Sequence, residues 1–237
     1  MRVEKVIHML VSGFIEVFCL ILLLGLGYIV YDTMSIEKSN VVDDYILERK
    51  PVVDETTTEV DFSALQEINP DIVGWLTMDD TNIDYPILQG DSEYSYLNRD
   101  LYGNSSLTGS LYIGLIADRY FEDDYTIIYG HHIAGGAMLG ALDYYDDLDY
   151  LNSHNTGVLI TERAIYDLHV EALISLDAYD DVYRYASTEA LTNYFDSDAY
   201  TLKVGTISIT DKMLLLSTCG SNGNTDRTIL ILTMEER

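Results

Sequence analysis

The segment "LLLSTCGSNGNTDRTILIL", residues 214–232, ends one apolar run on a thiol, Cys219, and opens the next on a guanidinium, Arg227. Two β-rich runs about a polar, glycine-bearing turn read as a hairpin. Cys219 then sits at the rim of a sheet, and Arg227 faces it from the neighbouring strand. A thiol is a useful nucleophile near neutral pH only with a base or a cation beside it. The other cysteine, Cys19, lies in a long apolar segment, so Cys219 is alone in the rest of the chain. An unpaired cysteine in an exported domain suggests a reactive thiol, with a buried, inert cysteine as the alternative.

Five histidines are candidates for the base. His8 falls in the apolar segment, His169 inside the alternating strand "YDLHVEAL", and His154 in a loop without chemical company. His131 is different: in "TIIYGHHIAGG" (126–136) an apolar strand runs into glycine and then the imidazole. A histidine at a strand end beside flexible backbone is well placed to line a site. Neighbouring residues on a strand point to opposite faces, so His131 and His132 are not expected to work as a pair, and no metal site is expected there. The acidic stretches "YFEDDY", "DYYDDLDY" and "DAYDDVY" raise Ca²⁺ as an alternative cofactor. They lack the ligand spacing and glycine of a calcium loop, so solvated acidic faces and no cofactor are expected.

These residues need a scaffold, and the chain is long enough to bury a core. It carries 13 Lys+Arg against 40 Asp+Glu, formally −27. Arg2, Lys5, Glu4 and Glu16 cancel within residues 1–31, so the whole excess belongs to residues 32–237. Such a surface disfavours nucleic acid as a partner. Residues 6–31 read as a transmembrane helix, uncharged from Val17 to Tyr31 and long enough for about 30 Å of hydrocarbon. A cleaved signal peptide is the rival, but "YIVYDTMSIEK" offers no small-x-small cleavage site. Arg2, Lys5 and the α-amine favour a cytoplasmic N-terminus, with Lys38 as the countersignal. The expected order is therefore a cytoplasmic tail and membrane anchor at 1–31, a juxtamembrane stalk at 32–60, and an extracellular domain at 61–237.

Within that domain "DFSALQEINPDIVGWL" reads as a short helix capped near Asp61 or Ser63 and closed by Pro70 and Gly74. Nine short β-branched and aromatic runs follow: "WLTM", "IDYPIL", "GSLYIG", "YTIIYG", "GVLITE", "AIYDLHVEALISL", "TISIT", "KMLLLSTC" and "RTILILTM". So many short strands predict a β-sandwich or closed barrel. Helices are expected at 135–154 and at 187–200, the second capped by Ser187 or Thr188. Trp75 is read as core.

Several segments together resemble the class B sortases. "IYGHHIAGGAMLGAL" is similar to their Y-G-H-N-M-x-x-G-x-M-F-x-x-L segment, and "LLLSTC" to their T-L-S-T-C strand end. Arg227 falls where that family carries an arginine, and "NPDIVGWLTMDDTNIDYPILQGDSEYSYLNRDLYG" (69–103) is similar to its opening strands. The helix at 187–200 matches an extra helix between strands six and seven. The chain departs from the pattern at His132 for asparagine, Ile133 for methionine, Leu139 for phenylalanine, Gly114 for an aspartate, and "GSNGN" after the cysteine.

The resemblance implies a mostly β fold: an eight-stranded sortase-type β-barrel with peripheral helices on the single membrane helix. It implies a cysteine transpeptidase with Cys219 as nucleophile, His131 as general acid/base and Arg227 as the cation for the oxyanion or substrate. Ser217 and Thr218, beside the thiol, are candidates for the substrate-binding wall, with plain strand packing as the alternative. The implied partners are exported proteins bearing a C-terminal sorting signal and an amine acceptor, either a peptidoglycan cross-bridge or a pilin lysine. Two other readings stand beside it: a membrane-tethered cysteine protease, in which water takes the acyl group, and a non-catalytic acidic binding module with an unreactive Cys219.

Overall fold

The computed structural model describes residues 2–39, 42–53, 60–183, 187–197, 199–220 and 225–237. It forms two compact units, Met1–Ser39 and Asn40–Arg237. The first is helix α1 (Arg2–Ser39). Its stretch Lys5–Tyr31 is the one helix among the described residues that is long and apolar enough to cross a membrane. At 1.5 Å per residue that stretch is about 40 Å long.

The second unit is built on strands β1 (Ile72–Met78), β2 (Asp84–Leu88), β3 (Leu111–Ile113), β4 (Tyr125–Tyr129), the two-residue pair β5 (His132–Ile133) and β6 (Ala137–Met138), β7 (Thr156–Thr161), β8 (Ile165–Asp177), β9 (Thr201–Gly205), β10 (Met213–Cys219) and β11 (Asp226–Glu236). The sheet order is β11-β10-β4-β3-β2-β1-β7-β8, and β11 pairs back onto β8, closing an eight-stranded barrel. β9 pairs with the second half of β8, beyond the stretch that pairs with β7, while β5 and β6 form a separate ribbon. Closure removes the unpaired edges that an open sheet would expose.

The apolar runs in β10 and β11 are continuous because both faces are buried. Leu214, Leu216, Leu230 and Leu232 point into the barrel core with Leu76 and Ile128. Their neighbours Met213, Leu215, Ile229 and Ile231 point outward to a second cluster with Ile174, Val182, Leu191 and Tyr194. Period-two alternation thus divides one run between two cores. Each such side chain contributes about 1.5–3 kcal/mol on burial. Val182 lies in the 3-10 turn Asp181–Tyr183 and Leu191 in helix α5 (Thr188–Phe195). α5 therefore closes the outer cluster between barrel strands six and seven, and Ser187 accepts the Ala190 amide as its N-cap. Trp75 is fully buried and donates to Asp84 Oδ1 at 2.6 Å.

Residues 42–53 run along the barrel. Helix α2 (Asp44–Leu47) buries Ile46. Lys50 Nζ bonds Asp84 Oδ1 at 2.6 Å and Thr77 Oγ1 at 2.8 Å. Helix α3 (Ser63–Gln66) follows, with Asp61 Oδ1 accepting the Ser63 amide.

Three local expectations differ from the structure. The strand read at "TISIT" (206–210) is instead β9, at Thr201–Gly205. Pairing with β8 fixes that register, and Gly205, at φ +88°, turns the chain away so that Thr206 bonds back to Glu171. The helix read at 135–154 is shorter and divided, because Gly135, Gly136 and Met138 all take positive φ, which a helix cannot contain. What remains is a 3-10 turn (Gly140–Asp146) and helix α4 (Leu148–Ser153), which starts afresh where Asp147 caps the Tyr150 amide. Gly74 lies inside β1 and does not close a helix: its neighbours there are Ile87 and Thr161, and a Cβ would press on the Ile160 carbonyl at 3.1 Å.

Candidate active site

Three adjacent strands bring the chemistry together. β10 and β11 form the expected hairpin, with Cys219 directly opposite Arg227. Residues 221–224 of its turn, most of the "GSNGN" segment, lie outside the described residues. On its other side β10 runs parallel to β4, with Leu216 beside Ile128 and Ser217 beside Tyr129. The Gly130 amide donates to the Ser217 carbonyl at 3.2 Å. Continuing that register two residues brings His131 level with Cys219. The hairpin pair and His131, about 90 residues earlier in the chain, share one end of the barrel.

They line a groove of about 370 Å³ together with Glu93, Tyr94, Leu97, Tyr112, Tyr129, Tyr183, Ser217 and Thr218. Cys219 is a free, solvent-exposed thiol. The His131 Nε2 lies 2.7 Å from the Leu97 carbonyl, which can only accept, so Nε2 carries the hydrogen and Nδ1 is the nitrogen left for proton exchange. His132 diverges, with its Nε2 at 2.7 Å from Asp143 Oδ2. Arg227 is steadied by Nη1 donating to the Asp226 carbonyl at 2.9 Å. Asp226 in turn accepts from Ser175 Oγ at 2.7 Å.

The floor is a row of tyrosines. Tyr112 and Tyr129 are cross-strand partners on β3 and β4, with stacked rings 5.5 Å apart, and Tyr129 stacks on Tyr183 at 6.1 Å. Burial raises all three phenols above their ordinary range, Tyr183 to about 12. They stay neutral at working pH. Tyr183 and Ser217 hydroxyls bond at 2.9 Å.

Ser217 and Thr218 both touch the groove, yet only 3% and 2% of their surfaces are exposed. Thr218 Oγ1 is buried and without a hydrogen-bond partner among the described residues. Among the described residues, no group of three or more His, Cys, Asp and Glu side chains could hold a metal ion.

The opposite wall comes from residues 90–110. Tyr96 anchors that loop: its buried hydroxyl accepts from Asn69 Nδ2 at 2.8 Å and donates to Asp71 Oδ2 at 2.7 Å. Glu93, Tyr94 and Leu97 reach the groove from it, and sequence reasoning did not single them out. Nothing in their spacing distinguishes them. Tyr129 had a usable signal, two residues before His131 at the strand end.

No family model matches this chain. Sortase B of Listeria monocytogenes is 33% identical over 177 residues, 71% of this chain and 70% of that protein. Among solved structures, sortase B from B. anthracis superposes with a TM-score of 0.67 at 28% identity, over 89% of this chain and 98% of that one. A Streptococcus pyogenes class B sortase involved in pilus biogenesis gives a TM-score of 0.63 at 30% identity, over 74% of this chain and 98% of its own. With the closed eight-stranded barrel already established, the chain belongs to the class B sortases, a family of cysteine transpeptidases.

Proposed function

We propose that this protein cleaves a C-terminal sorting signal of exported proteins at Cys219 and passes the new carboxyl to an amine of the cell wall. The observation that carries the reading is the convergence of Cys219, His131 and Arg227 on one groove at the ends of three adjacent strands. The Cys219 Sγ attacks the scissile carbonyl carbon, and Arg227 offers paired N–H donors to the developing oxyanion. As the C–N bond breaks, protonated His131 gives its Nδ1 proton to the departing amine. The thioester is then attacked by a second amine, which loses a proton to His131 as the Cys219 thiolate is released. The Leu97 carbonyl holds the imidazole through Nε2 and fixes its orientation, with Nδ1 towards the reacting groups. Ser217 and Thr218 serve as the wall against which the signal peptide lies.

Helix α1 is compatible with membrane anchoring, and its charges suggest a cytoplasmic N-terminus with the barrel outside the cell. A second acceptor, a lysine of a pilin, is favoured by one observation, the similarity to a class B sortase involved in pilus biogenesis.

The test is product analysis with the full chain in detergent and a panel of sorting-signal peptides, with and without added amine. Amide product formed at the expense of hydrolysis supports transpeptidation. Cleaved peptide that amine never captures would establish a protease instead. A chain that cleaves no peptide, with Cys219 inert to mild alkylation, would leave only a binding module.

A further inference from the structure

The groove lining holds a carboxylate, Glu93, and a permanent cation, Arg227. Glu93 is half-buried, and its Oε2 accepts the Leu115 amide at 3.0 Å. Among the described residues Oε1 makes no hydrogen bond. The carboxylate lies over Gly114, where a Cβ would come within 2.6 Å of Oε1 and would displace it. Burial is the main cause of the raised Tyr112 and Tyr129 phenols, and the Glu93 charge adds to both, which puts that charge over the tyrosine floor. Cys219 adds to Tyr112 as well. A carboxylate only accepts hydrogen bonds, and its strong partners are cationic donors. The formal −27 of residues 32–237 works in the same sense at longer range, drawing cations towards the domain.

We propose that Glu93 is a specificity residue of this groove and selects a partner that presents an ammonium or guanidinium group close to the reacting carbonyl. Two molecules can bring that group: a basic residue within the sorting signal, or a second ammonium on the acceptor amine. The bland role, a staple for the Leu115 amide, is fulfilled equally by glutamine, so Glu93→Gln removes the charge and keeps the staple. This inference rests on the transpeptidase reading for its choice of partners, though its first test does not need turnover.

That first test uses the full chain carrying Cys19→Ser, in detergent. Cys219 is modified with a trimethylammonium-ethyl methanethiosulfonate and, separately, with the sulfonatoethyl analogue. Glu93→Gln should lower the cation-to-anion rate ratio roughly three- to tenfold. Asp211→Asn, an equal charge change on an exposed residue outside the groove, should leave the ratio as it is. An unchanged ratio in Glu93→Gln overturns the proposal.

The second test names the source. Sorting peptides with Lys or Gln at each non-scissile position, and 1,5-diaminopentane against pentylamine as acceptors, are compared in both proteins. A lysine preference lost in Glu93→Gln assigns the cation to the signal, and a diamine preference lost assigns it to the acceptor. Absence of either preference in the unaltered groove overturns the proposal, as does a preference that Glu93→Gln retains. If no peptide is cleaved, the transpeptidase reading fails, and the thiol ratio still decides whether Glu93 selects cations.

Discussion

Replacing Cys219 with alanine removes the groove's thiol, and sorting-peptide cleavage should fall below detection while the fold is kept, since the side chain is exposed. His131→Gln keeps a donor for the Leu97 carbonyl but cannot shuttle a proton, so kcat should drop about 10²- to 10⁴-fold. Arg227→Lys keeps the charge and loses the paired donors. It should still cost about 10- to 100-fold in kcat/KM, measured with the same peptide. If Arg227 served only as a surface cation opening β11, lysine would substitute without loss. Tyr183→Phe leaves the buried Ser217 hydroxyl without its 2.9 Å partner and should cost about 1 kcal/mol in denaturant unfolding.

At the scale of elements, the β4–β10–β11 ladder positions the site, and close backbone packing under the β5–β6 ribbon shapes its His131 edge. Leu139 bonds back to the His131 carbonyl, and a Cβ on Gly140 would collide with the Ile133 carbonyl. Gly140→Ala must therefore shift backbone, and we expect at least about 1–3 kcal/mol of lost stability together with reduced activity. Unchanged thermal unfolding would show that the ribbon adapts freely. The hairpin and the His131 strand end were legible in the sequence because periodicity, turn residues and reactive side chains coincide there. The position of β9 was not: "TISIT" alternates as well as any strand, and only pairing with β8 and the positive φ of Gly205 select 201–205. The shortened helix after His131 was hidden in the same way, by positive φ at a methionine that composition does not betray. Glu93 was invisible for another reason, since a loop residue reaches the site only through the anchoring of Tyr96.

For the whole molecule, buried phenols link stability to alkaline pH. Burial raises Tyr96 and Tyr183 to about 12, and raises Tyr112, Tyr129 and Tyr145 as well. Unfolded tyrosine titrates near 10. The native state thus holds these protons more tightly, so their contribution is complete below about pH 10 and is lost as pH rises through about 12. Absorbance at 295 nm should show late-titrating tyrosines that ionise together with unfolding in that window. Simple, non-cooperative titration near 10 would contradict their burial.

The central claim, that Cys219 is acylated by a sorting signal and released by an amine, is tested most directly by intact-mass spectrometry. The full chain is mixed with a sorting-signal peptide, with and without an amine acceptor, beside Cys219→Ala. The expected result is a mass gain equal to the peptide's N-terminal fragment, mapped to Cys219, absent in the variant and removed by amine. A cleaving enzyme without that adduct on rapid quenching, or an adduct that survives in Cys219→Ala, would contradict it.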